Sequence, residues 1–288
     1  KAWELKPNVT EDIHFRMARG YHMRMEFDNA IKEYTLYKNS FTPKKYKKLN
    51  INIDKYIEEC FNGKEVIKTP QRVIVSTLGT NINSEHDEYG SIIHPSDTVM
   101  YYTSRRPVSE KAKLLRYDHF FPENIYTSSK KDDKWGQSKM LDKTFNRKKE
   151  DNAVVAFNNK INVIYTYSGS GKRESKKKAN GDIYTLTYNK EKQKWKKKPF
   201  KAINSKMQES SLIVNAKEDS IYFISNNNNK KWGGNRGGKD IFLLTKNNEG
   251  KWNKPKNMGE VLNTPYDEEA LCMHPAGNKL YFSSKGHN

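Results

Sequence analysis

Residues 238–288 read GKDIFLLTKNNEGKWNKPKNMGEVLNTPYDEEALCMHPAGNKLYFSSKGHN, and the order of landmarks along this stretch decides the fold. It holds Asp240-Ile241-Phe242, then Trp252, the acid pair Asp267-Glu268, His274-Pro275 and the aromatic run Tyr281-Phe282-Ser283-Ser284. The same order occurs upstream. Aligning that run with Tyr101–Ser104, Ile164–Tyr167 and Tyr222–Ser225 puts a polar pair fourteen residues earlier in every copy. The pairs are Asp87-Glu88, Glu150-Asp151, Gln208-Glu209 and Asp267-Glu268, and their first members lie 63, 58 and 59 residues apart. A fixed period of this size marks a repeat architecture.

A second set of landmarks has the same period. Asn124-Ile125 precedes Trp135, Asp182-Ile183 precedes Trp195, and Asp240-Ile241 precedes Trp252. Each repeat is a series of short runs rich in Tyr, Phe, Ile and Val, broken by Gly, Asn, Asp, Ser and Lys clusters, which predicts strands and turns. Roughly four strands fit one repeat. A single such sheet cannot bury both faces, and arranging the sheets around an axis solves that, so a β-propeller is expected.

These landmarks resemble the TolB-like, WD-related propeller repeats of Gram-negative envelope proteins. The fit is best over Lys239–Ser284 and loosest over Leu78–Leu141, where Asn124 stands in place of Asp. The chain holds three full repeats and the first strands of a fourth, so it is expected to continue beyond Asn288 or to assemble with other chains.

Residues 1–68 have a different texture. Ile13, Met17, Ala18, Tyr21 and Met25 recur at helical spacing after a cap at Thr10 with Glu11 and Asp12 behind it. A second helix is expected over Asp28–Asn39 and a third over about Lys44–Phe61, stopped by Asn62-Gly63. Ala18, Tyr21, Ala30, Tyr34 and Pro43 resemble a tetratricopeptide repeat, with His14 in place of the family's Trp. The resemblance implies that Asp12, Phe15, Arg19 and His22 face a concave groove for protein partners. The alternative places Phe15 in the core and Arg19 in solvent. The expected organisation is thus α+β: a helical domain over residues 1–68 and an all-β propeller over 69–288. Val73-Ile74-Val75 is expected to be an outer strand given early in the chain to a blade completed late.

Composition bounds the chemistry. Among 288 residues, Lys and Arg outnumber Asp and Glu by 53 to 34, a net charge of +19. That charge favours polyanions, while lysines spread through every turn read as solvated surface. Cys60 and Cys272 alone exclude a disulfide framework and a thiolate-rich metal site, and both are expected to be buried thiols. The opening at Lys1 without Met suggests a trimmed fragment. No apolar run is long enough to span a membrane.

Candidate chemistry is sparse. The carboxylates Asp87, Glu88, Glu150, Asp151, Glu209, Asp267 and Glu268, with Asp182 and Asp240, recur in every repeat. Adjacent strand residues point to opposite faces, so turn-amide acceptance is the expected role. Trp135, Trp195 and Trp252 likewise read as repeat residues. The seven histidines show no metal spacing, and His94 and His274 occupy equivalent turns. Ser168–Lys172 and Gly233–Gly238 fail as phosphate and dinucleotide loops, and no Gly-x-Ser-x-Gly elbow is present. The basic runs Lys172–Lys178 and Lys190–Lys198 are the strongest electrostatic features.

Helical hairpins followed by a TolB-like propeller resemble Bacteroidetes envelope proteins in which an OmpA-like peptidoglycan-binding domain follows, some associated with type IX secretion and gliding. The resemblance implies a non-enzymatic periplasmic scaffold at the outer membrane. It would bind outer-membrane or secretion-system proteins and reach peptidoglycan through a domain absent here, without cofactor, metal or nucleic acid. Two alternatives remain: the propeller of an envelope peptidase or hydrolase, and a binder of anionic glycan or nucleic acid through the Lys-rich loops.

Overall fold

The structure, a computed structural model, describes residues 12–49, 51–70, 72–94, 96–114, 119–148, 150–158, 162–170, 181–274 and 276–287. The chain divides into two compact units, a helical one up to Val75 and a sheet unit over Ser76–His287. Among the described residues the α-helices fall in the first and antiparallel sheets make up most of the second, so the chain is mostly β.

In the helical unit α1 (Ile13–Met23) and α2 (Phe27–Asn39) form an antiparallel hairpin, followed by the single turn α3 (Pro43–Tyr46) and by α4 (Ile53–Val66). Ala18 and Ala30 are fully buried, and the absence of longer side chains there lets the helices approach. Tyr34, also fully buried, stacks on Tyr56 of α4 at 5.4 Å between ring centres. The expected cap at Thr10 lies outside the described residues.

The third helix differs from expectation in two ways. It is broken, because Asn52 sits in extended conformation and its side chain accepts the Lys55 N–H, starting a new helix. It also runs through Asn62-Gly63 to Val66 instead of stopping. Gly63 serves packing: a Cβ there would lie 2.5 Å from Cζ of Phe27, so the glycine lets α4 close onto that ring.

The sheet unit is a series of antiparallel meanders. The first holds β1 (Glu88–Ile93), β2 (Val99–Ser104), β3 (Asn124–Lys131), β4 (Lys134–Trp135) and β5 (Lys139–Met140). The second holds β6 (Glu150–Phe157), β7 (Val163–Ser170), β8 (Gly181–Asn189) and β9 (Lys194–Pro199). The third holds β10 (Glu209–Val214), β11 (Ser220–Ser225), β12 (Asp240–Thr245) and β13 (Lys256–Asn257). The last pairs β14 (Glu268–Met273) with β15 (Leu280–Ser284). Among the described residues no sheet closes on itself.

Successive sheets meet through their first strands, β1 beside β6, β6 beside β10 and β10 beside β14. Apolar cores fill the space between them. Ile125, Phe145, Val154, Ile164 and Leu186 form one such core, and Ala156, Ile183, Leu212, Phe223 and Phe242 belong to the next. The connections between second and third strands, such as Ser104 to Asn124 and Ser225 to Asp240, are long and leave from one end of the sheets. The opposite end carries the hairpin connections, such as Val214 to Ser220 and Asn189 to Lys194.

Two further expectations are corrected. Val73, Ile74 and Val75 are 72%, 96% and 91% exposed and pair with no strand among the described residues. Three β-branched residues favour an extended chain, but a strand requires a neighbour for its backbone groups. The second repeat is also displaced by one residue. Ladder pairing sets Asn152 against Ser168, as Glu88 is set against Ser104, so Asn152 and not Glu150-Asp151 carries the position of the repeat's second acid. The connection from Asn146 to Asn152 is one residue longer than its counterparts Asn204 to Glu209 and Asn263 to Glu268.

Candidate ligand cavity between the first strands

Each repeat carries one polar latch where its first strand begins. Glu268 accepts hydrogen bonds from the Thr264 N–H (3.2 Å), the Thr264 hydroxyl (2.6 Å) and the Ser284 hydroxyl (2.8 Å). Glu209 is held in the same way by Ser205 and Ser225, and Glu88 by Ser84 and Ser104 with Arg106 added at 2.9 Å. Asn152 takes this place in the second repeat, accepting from the Arg147 N–H and the Ser168 hydroxyl. Glu209 and Glu268 are fully buried, and their bonds tie a turn to two strands. These side chains are occupied by the architecture.

A second latch joins each connection to the preceding sheet. The Asn263 amide accepts the Ile241 N–H at 2.7 Å and donates to the Ile241 carbonyl at 2.9 Å. Asn146 does the same to Ile125, and Asn204 to Ile183. Asn146 and Asn204 escaped the sequence reading. Their signal was a constant 21-residue distance from the Ile of the third strand.

The tryptophans pack on these connections. Trp195 meets Phe145 edge-on at 5.5 Å, Trp252 meets Phe200 at 6.0 Å, and Trp135 packs against the cluster holding Ile82. His94 and His274 each accept a backbone N–H two residues on, from Ser96 and Ala276. Pro95, Pro275 and the run Lys172–Lys178 lie outside the described residues, as does the end of the Ser168–Lys172 loop. In Gly233–Gly238 the chain leaves a short turn (Lys230–Trp232) without entering a helix.

The first strands of all the sheets line a cavity of about 820 Å³. Its walls are Ile92 and Ile93 of β1, Ala156 and Phe157 of β6, Ile213 of β10 and Leu271 of β14, with the Cys272 thiol beside them. Cys272 is exposed, contrary to the expectation of burial, and lines this space together with Leu271. Cys60 is buried. Every first strand has a break in ladder register, as at Tyr89/Ile92 and Glu269/Cys272. Gly90 (φ 60°) and Ala270 (φ 54°) sit in equivalent breaks, and the resulting kinks re-aim neighbouring side chains.

Charge at the cavity comes from two pairs and the groups around them. Arg105 donates to Glu123 at 2.6 Å, and Lys239 pairs with Glu269 at 2.6 Å. Burial pushes the Glu123 carboxyl above the usual range, with the Asp151 charge adding to it and Tyr89 and Arg105 opposing it. Burial, with Glu123 beside it, raises the Tyr89 phenol strongly. Gln208 donates to the Tyr167 hydroxyl at 3.4 Å on the same wall. Asp151 also accepts the Glu123 N–H, and Asp267 the Lys239 N–H, so both carboxylates hold the residue just before a third strand.

In the helical unit Asp12, Phe15, Arg19 and His22 all contact neighbouring side chains. Phe15 packs on Tyr34, Tyr37 and Tyr56, Arg19 lies over the Tyr56 ring at 5.2 Å, and His22 contacts Tyr34 and Phe27. Asp12 pairs with Arg16 at 2.7 Å.

No protein-family model matches the chain, and no curated protein matches it. Among solved structures it is similar to the periplasmic gluconolactonase of Pseudomonas aeruginosa, with 9% identity, a TM-score of 0.38, and 68% of this chain and 49% of that one covered. It is also similar to Zg3597, a family 117 glycoside hydrolase produced by the marine bacterium Zobellia galactanivorans, with 11% identity, a TM-score of 0.36, and 69% and 65% covered. Both neighbours are named as enzymes, against the expectation of a non-enzymatic chain. A likeness of this size carries neither chemistry nor substrate over to this chain.

Proposed function

We propose that the sheets are blades of a TolB-like propeller, that the helices form a tetratricopeptide-like hairpin, and that the chain is a peptide-binding module of the bacterial envelope. The observation supporting this reading is the cavity between the first strands. Its walls are apolar, its charges are already paired, and its side chains come from every sheet. Such a surface suits an extended segment with alternating apolar and polar residues. The segment belongs to a substrate if the propeller serves an envelope peptidase, and to an outer-membrane or secretion-system protein if it serves an assembly. Placement in the periplasm, at the outer membrane and near peptidoglycan is part of this proposal and rests on the repeat motifs.

One observation favours a second reading. Lys190, Lys192, Lys194, Lys196 and Lys198 are all exposed on β9 and its hairpin, a basic stripe suited to an anionic polymer. A panel of labelled peptides and anionic glycans, titrated against the chain and its Ile93→Asp variant, separates the two. Peptide binding lost in Ile93→Asp supports the cavity. Glycan binding that is unchanged by Ile93→Asp and falls steeply with salt supports the stripe instead.

A further inference from the structure

Strand β9 leaves Lys194, Lys196 and Lys198 exposed, while Trp195 and Lys197 between them turn back onto the sheet, as strand alternation requires. Trp195 meets Phe145 edge-on. Lys197 is half-buried, and its Nζ donates to the Phe145 carbonyl at 3.2 Å and to the Ser168 hydroxyl of β7 at 2.8 Å. The Ser168 hydroxyl donates its own proton to Asn152, so it meets the lysine as an acceptor. None of these side chains lines the cavity between the first strands.

The Lys197 amine thus has two neutral acceptors and no counter-charge in contact. Among the described residues no carboxylate pairs with it, and Glu150 lies 3.8 Å from Arg147 instead. Lys130 and Lys239, half-buried in other sheets, each pair with a carboxylate, at 2.7 and 2.6 Å. A second cation is close by. Nζ of Lys197 lies 4.8 Å from the centre of the Tyr184 ring, and the Arg147 guanidinium lies 4.6 Å from the same ring and donates to the Tyr184 hydroxyl at 3.2 Å. Partial burial, the lack of a paired carboxylate and a neighbouring cation all favour the neutral amine, against the Tyr184 face, which favours the charge. Loss of a proton breaks neither hydrogen bond, because a neutral amine keeps two N–H groups for its two acceptors and gains a lone pair.

We propose that Lys197 is an amine nucleophile that condenses reversibly with the carbonyl group of a small aldehyde or ketone. The lone pair attacks the carbonyl carbon, a C=N bond replaces C=O, and the two amine protons leave with the oxygen as water, so nothing is oxidised or reduced. A lysine taken out of water beside another cation is the usual setting for this chemistry.

The acid–base behaviour agrees. Burial, followed by the Arg147 charge, pushes the Lys197 amine from an ordinary value of 10.5 down to about 8, with Glu150 opposing. Asp182 of β8 interacts in turn with Arg147 and Glu150. Near neutral pH such an amine has a neutral fraction on the order of a hundredfold larger than that of an exposed lysine. Lys194, Lys196 and Lys198, exposed on the same strand, are the internal controls.

The test treats the whole chain near neutral pH with a limiting amount of acetaldehyde and with cyanoborohydride to trap the imine, and locates the adducts by tandem mass spectrometry. Lys197 is expected to be labelled first, about tenfold faster than Lys196. Its rate should level off above about pH 8, while that of Lys196 keeps rising. Arg147→Gln is expected to slow labelling of Lys197 severalfold and to leave Lys196 unchanged. Labelling of Lys197 no faster than that of Lys194, Lys196 and Lys198, or a native rate at Lys197 in Arg147→Gln, would overturn the proposal and leave Lys197 as a charged clamp between strands.

Discussion

The Asn263 side chain holds both backbone groups of Ile241, twenty-two residues upstream, with hydrogen bonds of 2.7 and 2.9 Å. A side-chain amide thus extends the β12 ladder past the end of β13, next to the Met258 N–H, which donates to the same carbonyl at 3.1 Å. With Asn263 1% exposed and Ile241 fully buried, the pair is sealed from water.

Asn263→Ala leaves the Ile241 N–H without a partner in a dry site, while the carbonyl keeps the Met258 N–H at 3.1 Å. One orphaned group costs about 1–3 kcal/mol, and a loss of that size is expected. Urea unfolding measures it, and a change below about 0.5 kcal/mol would show that water replaces the amide.

Gly63→Ala sets two effects against each other. Alanine improves helix propensity by about 1 kcal/mol. Overpacking against the Phe27 ring costs about 1–3 kcal/mol. With the new Cβ only 2.5 Å from the ring, overpacking outweighs propensity, and a lower melting temperature is expected. A double substitution with Phe27→Leu should recover most of the loss.

Ala270 keeps a positive φ of 54° in the β14 break, where its counterpart in β1 is Gly90. Ala270→Gly relieves strain of about 1–2 kcal/mol at the cost of greater freedom in the unfolded chain. A net gain of about 0.5–1 kcal/mol is expected, which calorimetry can read as a raised midpoint. The same substitution in a helix interior lowers stability.

The two thiols should separate by reactivity. Burial pushes the Cys60 thiol up to about 11, so it stays protonated and covered at neutral pH. Cys272 is exposed at the cavity. A thiol reagent at neutral pH is expected to modify one cysteine quickly and the other only on unfolding, and two fast equivalents would contradict the burial of Cys60.

The period near sixty residues was legible because aromatic strands, tryptophans and acids recur in a fixed order, and outside the second repeat they occupy equivalent places in their sheets. The one-residue displacement at Asn152 was not legible, because an aromatic run such as Ile164-Tyr165-Thr166-Tyr167 aligns nearly as well in either register. Ladder pairing, which decides it, is a long-range property. Val73–Val75 failed for a related reason, since local preference for extension does not supply a neighbouring strand. Gly63 was read as a helix stop because its packing partner, Phe27, lies far away in sequence. The cavity was hidden because its residues are the least repetitive on each first strand, including Ile93, Phe157, Ile213 and Leu271.

Hydrogen–deuterium exchange of the chain with and without a peptide selected from the titration tests the cavity reading most directly. Binding there predicts slowed exchange in Glu88–Ile93, Glu209–Val214 and Glu268–Met273 together, with no change over Lys190–Lys198. Protection confined to Lys190–Lys198, with the first strands unaffected, would contradict it.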